Sequence, residues 1–97
     1  MAHWLLTYDL ASDYMDRRPA FRDAHLALLR EAAARGDLLL AGALDPPEQA
    51  MLLFQGDTPD AAQAFAEADP YVAQGLVLRW VVRQWITVVG EGAANPL

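Results

Sequence analysis

Two strand–helix–strand units folded into an α+β sandwich are what this sequence predicts. Three observations carry that expectation. Short apolar runs and two amphipathic stretches follow one another in the order strand, helix, strand, strand, helix, strand. Two prolines break the chain between the middle runs, and no run approaches the ~20 apolar residues of a membrane span. At 97 residues the chain has the size of one domain, expected over residues 1–89, with a glycine-rich tail over 90–97 that frays.

Each element has a local reason. HWLLTYD (3–9) is short, aromatic and aliphatic, and is closed by polar residues around Ser12 and Asp13, as a strand would be. Arg18-Pro19 predicts the start of a long helix, because proline is tolerated in a first turn; Phe21, His25, Leu28, Leu29 and Ala32 then share one face, and Gly36 terminates it. LLLAGA (38–43) and AMLLF (50–54) flank DPPE and predict an antiparallel pair. Thr58 as N-cap and Pro59 as first helical residue open a second helix, AAQAFAEA. The stretch EADPYVAQG (67–75) accommodates one more helical turn, capped by Asp69, begun by Pro70 and stopped by Gly75. VLRWVVRQWITVV (77–89) is the last strand, and the order completes a ferredoxin-like sandwich with both helices on one sheet face.

That last strand raises a question of length and of faces. Thirteen residues of about 3.3 Å each extend ~43 Å, more than a compact domain of this size is wide, so the strand is expected to bend or to leave its own subunit. Leu78, Trp80, Val82, Ile86 and Val88 fall on one face, assigned to the core; Val77, Arg79, Val81, Arg83 and Trp85 fall on the other. The second set is too apolar to be merely wet. Together with a hydrophobic fraction of 55%, above the usual ~45–50%, it predicts a homodimer packed through the open sheet face.

Composition excludes several classes of function. The net charge of -6 supplies no basic field for phosphate backbones, so no nucleic-acid partner is expected. There is no cysteine, hence no disulfide or thiolate nucleophile, and the seven basic residues are all arginine, which removes lysine Schiff-base chemistry. No glycine-rich phosphate loop is present: Gly42 stands alone, and Gly90 and Gly92 lie in the tail. His3 and His25 lie on different elements without ligand-like spacing, so neither a metal nor another cofactor is expected. MAHWLLTYDL reaches Asp9 without a basic leader, and the expected location is cytoplasmic, with no membrane partner.

His25 is the most informative single residue. On the stripe of Phe21, Leu28 and Ala32 it points inward or along the edge of the buried face. One reading is a core histidine satisfied by a hydrogen bond; the other is an acid–base group held in one tautomer by a carboxylate, for which Asp69 is the candidate. Capping alone accounts for Asp69, Pro70 and Gly75, but not for Tyr71.

RDAHLALL, the exit into GDLLLAGAL, and EADPYVAQGL before an apolar last strand resemble the YCII-related family of small bacterial proteins, from about His3 to Val89. The resemblance implies a ferredoxin-like fold, dimerisation as an α+β barrel, and an active site on a histidine and an aspartate, which map by motif to His25 and Asp69. The family's usual Gly-Pro at the end of the second strand is Gly42-Ala43 here. Some relatives are linked to dehalogenation or lactone chemistry in chloroaromatic breakdown, and the fold is similar to muconolactone isomerase. The expected function is therefore acid–base chemistry on a small carbonyl or lactone-type compound, with His25 moving the proton and Asp69 orienting the ring. Tyr8 or Tyr71 would donate to developing negative charge, and Arg79 or Arg83 would bind a substrate carboxylate. Against this stand a non-catalytic ligand-binding or accessory dimer, and a purely structural His25–Asp69 pair.

Overall fold

Alternation along HWLLTYDL decides which face of the first strand is dry. Leu6, Tyr8 and Leu10 are buried, and the third strand answers with Ala50, Leu52 and Phe54. The computed structural model describes residues 1–97. Its elements are β1 (Ala2–Leu10), α1 (Tyr14–Ala34), β2 (Leu38–Ala43), β3 (Gln49–Gly56), α2 (Asp60–Ala68), α3 (Pro70–Ala73) and β4 (Val77–Trp85). The strands form one antiparallel sheet in the order β2-β3-β1-β4, the ferredoxin-like arrangement predicted above. Tyr14 and Ala32 of α1, and Ala62, Phe65 and Ala66 of α2, complete the core over one face of that sheet. No helix is long and apolar enough to cross a membrane.

Four local expectations are corrected. Helix α1 begins at Tyr14, not at Arg18-Pro19, and Pro19 lies inside it. Packing outweighs the proline signal: Tyr14 is buried, and its ring meets Tyr71 edge-on at 5.7 Å, which draws the helix start back. The hydrogen bond that Pro19 forgoes falls at Met15; both residues are exposed, so solvent can replace it. Helix α2 starts at Asp60, one residue late, although the Thr58 hydroxyl still accepts the Asp60 N–H at 3.3 Å.

The third correction concerns β4. A register shift between Asp9 and Leu10 pairs Asp9 with Arg79 but Leu10 with Val77, leaving Leu78 as the extra residue of a bulge. Parity therefore flips at the strand entry: Val77 turns into the core, while Leu78 is 71% exposed. Trp80 and Val82 keep the core face as expected, whereas Ile86 lies past the strand end and is exposed. The fourth concerns length. Nine residues span about 30 Å, within the molecule's 43 Å long axis, so the strand does not overrun the subunit.

Past the strand the chain turns back on itself. Asn95 and Leu97 donate backbone N–H bonds to Thr87 and Val88, and the Thr87 hydroxyl accepts the Ala94 N–H at 2.8 Å while meeting His3 Nδ1 at 2.7 Å. His3 is buried there.

The short helix α3 matches its predicted signals. The Asp69 side chain accepts the Tyr71 N–H at 3.0 Å, Pro70 is the first helical residue, and Gly75 closes the turn at φ +79°. An L side chain in that region costs about 1–2 kcal/mol. Gly75→Ala is thus expected to lower the free energy of unfolding by about that amount, read from the urea midpoint at unchanged slope; an unshifted midpoint would show that the turn relaxes freely.

Candidate active site

Asp69 sits where α2 ends and α3 begins. The proline after it favours an extended backbone, here φ -73° and ψ 122°, and the carboxylate meets core-face Tyr8 of β1 between sheet and helices. The residue is fully buried. A charge in that position needs donors, and three other side chains or amides supply them. Tyr8, reaching up from β1, donates its hydroxyl to Oδ2 at 2.8 Å; the Tyr71 N–H donates to Oδ1 at 3.0 Å; and His25 Nδ1 lies 2.9 Å from Oδ1 and 3.0 Å from Oδ2.

The histidine's geometry follows from that carboxylate. An ionised carboxylate only accepts, so Nδ1 carries the proton and the lone pair of the neutral ring is on Nε2. The Tyr71 ring stacks on the imidazole at 3.8 Å and 9°, and Phe65 meets it edge-on at 6.3 Å. His25 nevertheless keeps access, its side chain 12% exposed at the wall of a cleft of about 190 Å³. Ala41, Gly42 and Ala43 contribute small residues to the lining, and Tyr14, Arg18, Arg22 and Tyr71 add to its polar part.

The predicted residues divide between two places. His25, Asp69, Tyr8 and Tyr71 converge, but Tyr8 is 1% exposed and its only proton goes to Asp69. Its geometry is that of a positioning residue, not of a donor to substrate. Tyr71 gives Asp69 only its backbone N–H, leaving its phenol for the cleft it lines. Arg79 and Arg83 do not reach this cleft. They pair with Asp9 and Leu5 of β1 on the opposite sheet face, where Arg79 lies 3.9 Å from Asp9 and Arg83 sits beside Leu5 and Thr7. The cleft's cations are Arg18 and Arg22, which the sequence reading passed over. The signal was present: Tyr14, Arg18, Arg22, Leu26 and Leu29 recur at three- and four-residue steps beside His25.

Burial perturbs both phenols. Desolvation first, then the Asp69 charge and its hydrogen bond, push Tyr8 well above the ordinary tyrosine range. Tyr71 is pushed up to about 12, by burial and then by Tyr14, with Arg22 and Arg18 pulling the other way and Asp69 adding to the rise.

Fold and cleft together define a class: a ferredoxin-like α+β protein with a buried aspartate hydrogen-bonded to a cleft histidine. Within that class the chain belongs to the YCII-related domain family, which it matches over residues 1–86. It is 40% identical over 75 residues to Protein YciI of Escherichia coli O6:H1, covering 67% of this chain and 76% of that protein, and equally so to Protein YciI of Shigella flexneri. Among solved structures it is similar to the 5-chloro-2-hydroxyhydroquinone dehydrochlorinase TftG of Burkholderia phenoliruptrix AC1100, in complex with 2,5-dihydroxybenzoquinone. There the TM-score is 0.72 at 21% identity, covering 88% of this chain and 94% of that one. A NIPSNAP family protein of Agrobacterium tumefaciens matches at TM-score 0.58 and 13% identity over 95% of both chains. At such identities the structural likeness is one of fold.

The phenols set a pH dependence. Both hold their protons more tightly in the folded chain, so the folded state binds more protons than the unfolded one above the ordinary tyrosine value of about 10. Stability from this source is complete below that value. It is expected to fall as pH rises from about 10 through 12, the value for Tyr71. Phenolate absorbance is expected to rise together with loss of circular dichroism; Tyr8 and Tyr71 ionising at about pH 10 in a folded chain would contradict the assignment.

Proposed function

We propose that the cleft is an acid–base site in which His25 moves a proton on a small carbonyl or lactone-type molecule. The observation that carries this is the fully buried Asp69 carboxylate on His25 Nδ1. It fixes the tautomer, leaves Nε2 as the base and stabilises the imidazolium formed when Nε2 accepts a proton.

The step follows from those positions. Nε2 takes a proton from a carbon beside the substrate carbonyl, and the C–H pair moves into the ring system as an enolate. Tyr71, whose phenol stays protonated to about pH 12, remains a donor to the developing oxyanion. Returning the same proton at another carbon completes an isomerisation. Loss of a halide with its bonding pair completes an elimination, after which the imidazolium gives its proton to water. The dehydrochlorinase named for TftG supports including the second outcome.

We infer in addition that two copies pack through their open sheet faces. Leu40 is 72% exposed and Trp85 50% exposed there, with Leu5, Met51 and Leu53 between them, an apolar surface of the kind that marks interfaces. Light scattering is expected to give the mass of two chains, and Leu40→Asp the mass of one. A wild-type monomer at high concentration would overturn this inference.

For the chemistry, a screen of lactones and halogenated hydroxyquinols is expected to find turnover that His25→Gln lowers by roughly 10²–10⁴-fold. The circular dichroism spectrum is expected to be retained, since the glutamine amide can still donate to Asp69. Nitrogen chemical shifts are expected to show His25 protonated at Nδ1. Full activity in His25→Gln sinks the proposal, and a chain that binds these compounds without turning any over is the accessory module instead.

A further inference from the structure

Two cations in the cleft have no part in the proton transfer. Arg18 and Arg22 lie four residues apart on α1, one turn, and both line the cavity. Acidic residues outnumber basic ones 13 to 7, yet neither arginine has a carboxylate within ion-pair distance. Arg17, Arg35 and Arg79 have Asp13, Asp37 and Asp9; Arg30 and Arg83 also lack an acid, but only Arg18 and Arg22 combine that with a place on the cleft wall. Arg18 is furthermore held in place. Its guanidinium carbon lies 5.8 Å from the centroid of the Tyr14 ring, and its Nε is buried without a hydrogen-bond partner. With Nε enclosed, the terminal nitrogens are what the side chain offers to the cleft. Both guanidinium charges also act on the Tyr71 phenol, whose ring stacks on His25, so cations and imidazole flank one side chain.

We propose that Arg18 and Arg22 are the anion-recognition element of the cleft, and that its ligands carry a carboxylate on a single apolar ring. The proposal rests on the cleft being a small-molecule site and narrows its substrate class. Guanidinium groups bind carboxylate and phosphate alike; the carboxylate is favoured because the cleft walls are mostly apolar and the chain lacks the glycine-rich loop and backbone N–H cradle that phosphate sites add. The body of the ligand follows from the walls. Leu10, Leu26, Leu29 and Leu52 are apolar, and about 190 Å³ is below the ~300–1,000 Å³ of drug-sized pockets, which limits the occupant to one ring and its substituents.

Benzoate, its uncharged isostere benzamide, and inorganic phosphate are the probes, titrated calorimetrically into the wild-type chain. Benzoate is expected to bind at least roughly tenfold more tightly than benzamide, and Arg18→Gln or Arg22→Gln to weaken benzoate by a similar factor, with little effect on benzamide. Arg79→Gln, on the other sheet face, is the control expected to change nothing. Failure of benzoate to bind, equal binding of benzoate and benzamide, tighter binding of phosphate, or arginine variants indistinguishable from wild type would each overturn the proposal. A non-reacting probe reports on recognition alone, so this failure is distinguishable from failure of the proton transfer, which is read in the turnover of His25→Gln.

Discussion

One buried carboxylate organises this fold. Removing Asp69 from water is expensive for a charge, and the expense is offset only by donors brought from other elements. Those donors come from β1 through Tyr8, from α1 through His25 and from the first turn of α3 through the Tyr71 amide. Because the residue also joins α2 to α3, three helices and one strand meet at a single pair of oxygens. Hydrogen bonds to a charged group contribute roughly 1.5–3 kcal/mol each, so the site doubles as a tertiary clamp. The two readings of EADPYVAQG, helix cap and histidine partner, turn out to be compatible: Oδ1 accepts from both the Tyr71 N–H and His25.

The sheet then separates two tasks. Its covered face carries the aliphatic core and, at the ends of Leu10, Ala50 and Leu52, the floor of the cleft. Its open face carries Leu5, Leu40, Leu53 and Trp85 with the exposed arginines of β4. Arginine does different work on the two sides. On the open face Arg79 stays solvated beside Asp9, an arrangement worth little to stability, whereas Arg18 is desolvated against Tyr14 and left without an acid.

Which features were legible in the sequence follows from how local their causes are. The order of elements, the antiparallel middle pair and the Asp69-Pro70…Gly75 turn depend on neighbours within a few residues, and each is found where the pattern put it. The start of α1 depends on Tyr14 meeting Tyr71, a contact across the molecule that no window around Pro19 contains. Val77 and Leu78 were exchanged because a bulge shifts parity by one, and strict alternation has no place for a bulge. Among site residues, His25 stands out on the helical stripe with Asp69 as its candidate carboxylate, and the motif resemblance adds weight to both, while Tyr8's bond to Asp69 spans 61 positions and leaves no local trace. Arg18 and Arg22 share a helix with His25 but fall beside its apolar stripe, so apolar periodicity alone does not single them out.

The doubling of Asp69 as cap and partner has a consequence for inheritance. Selection for folding alone suffices to retain Asp69 and Tyr8, since losing either strands a buried polar group. His25 is held less firmly, because the carboxylate keeps its tyrosine and amide donors without it. Folding alone therefore constrains the carboxylate more tightly than the imidazole, so only a demand made by the cleft itself would hold both equally.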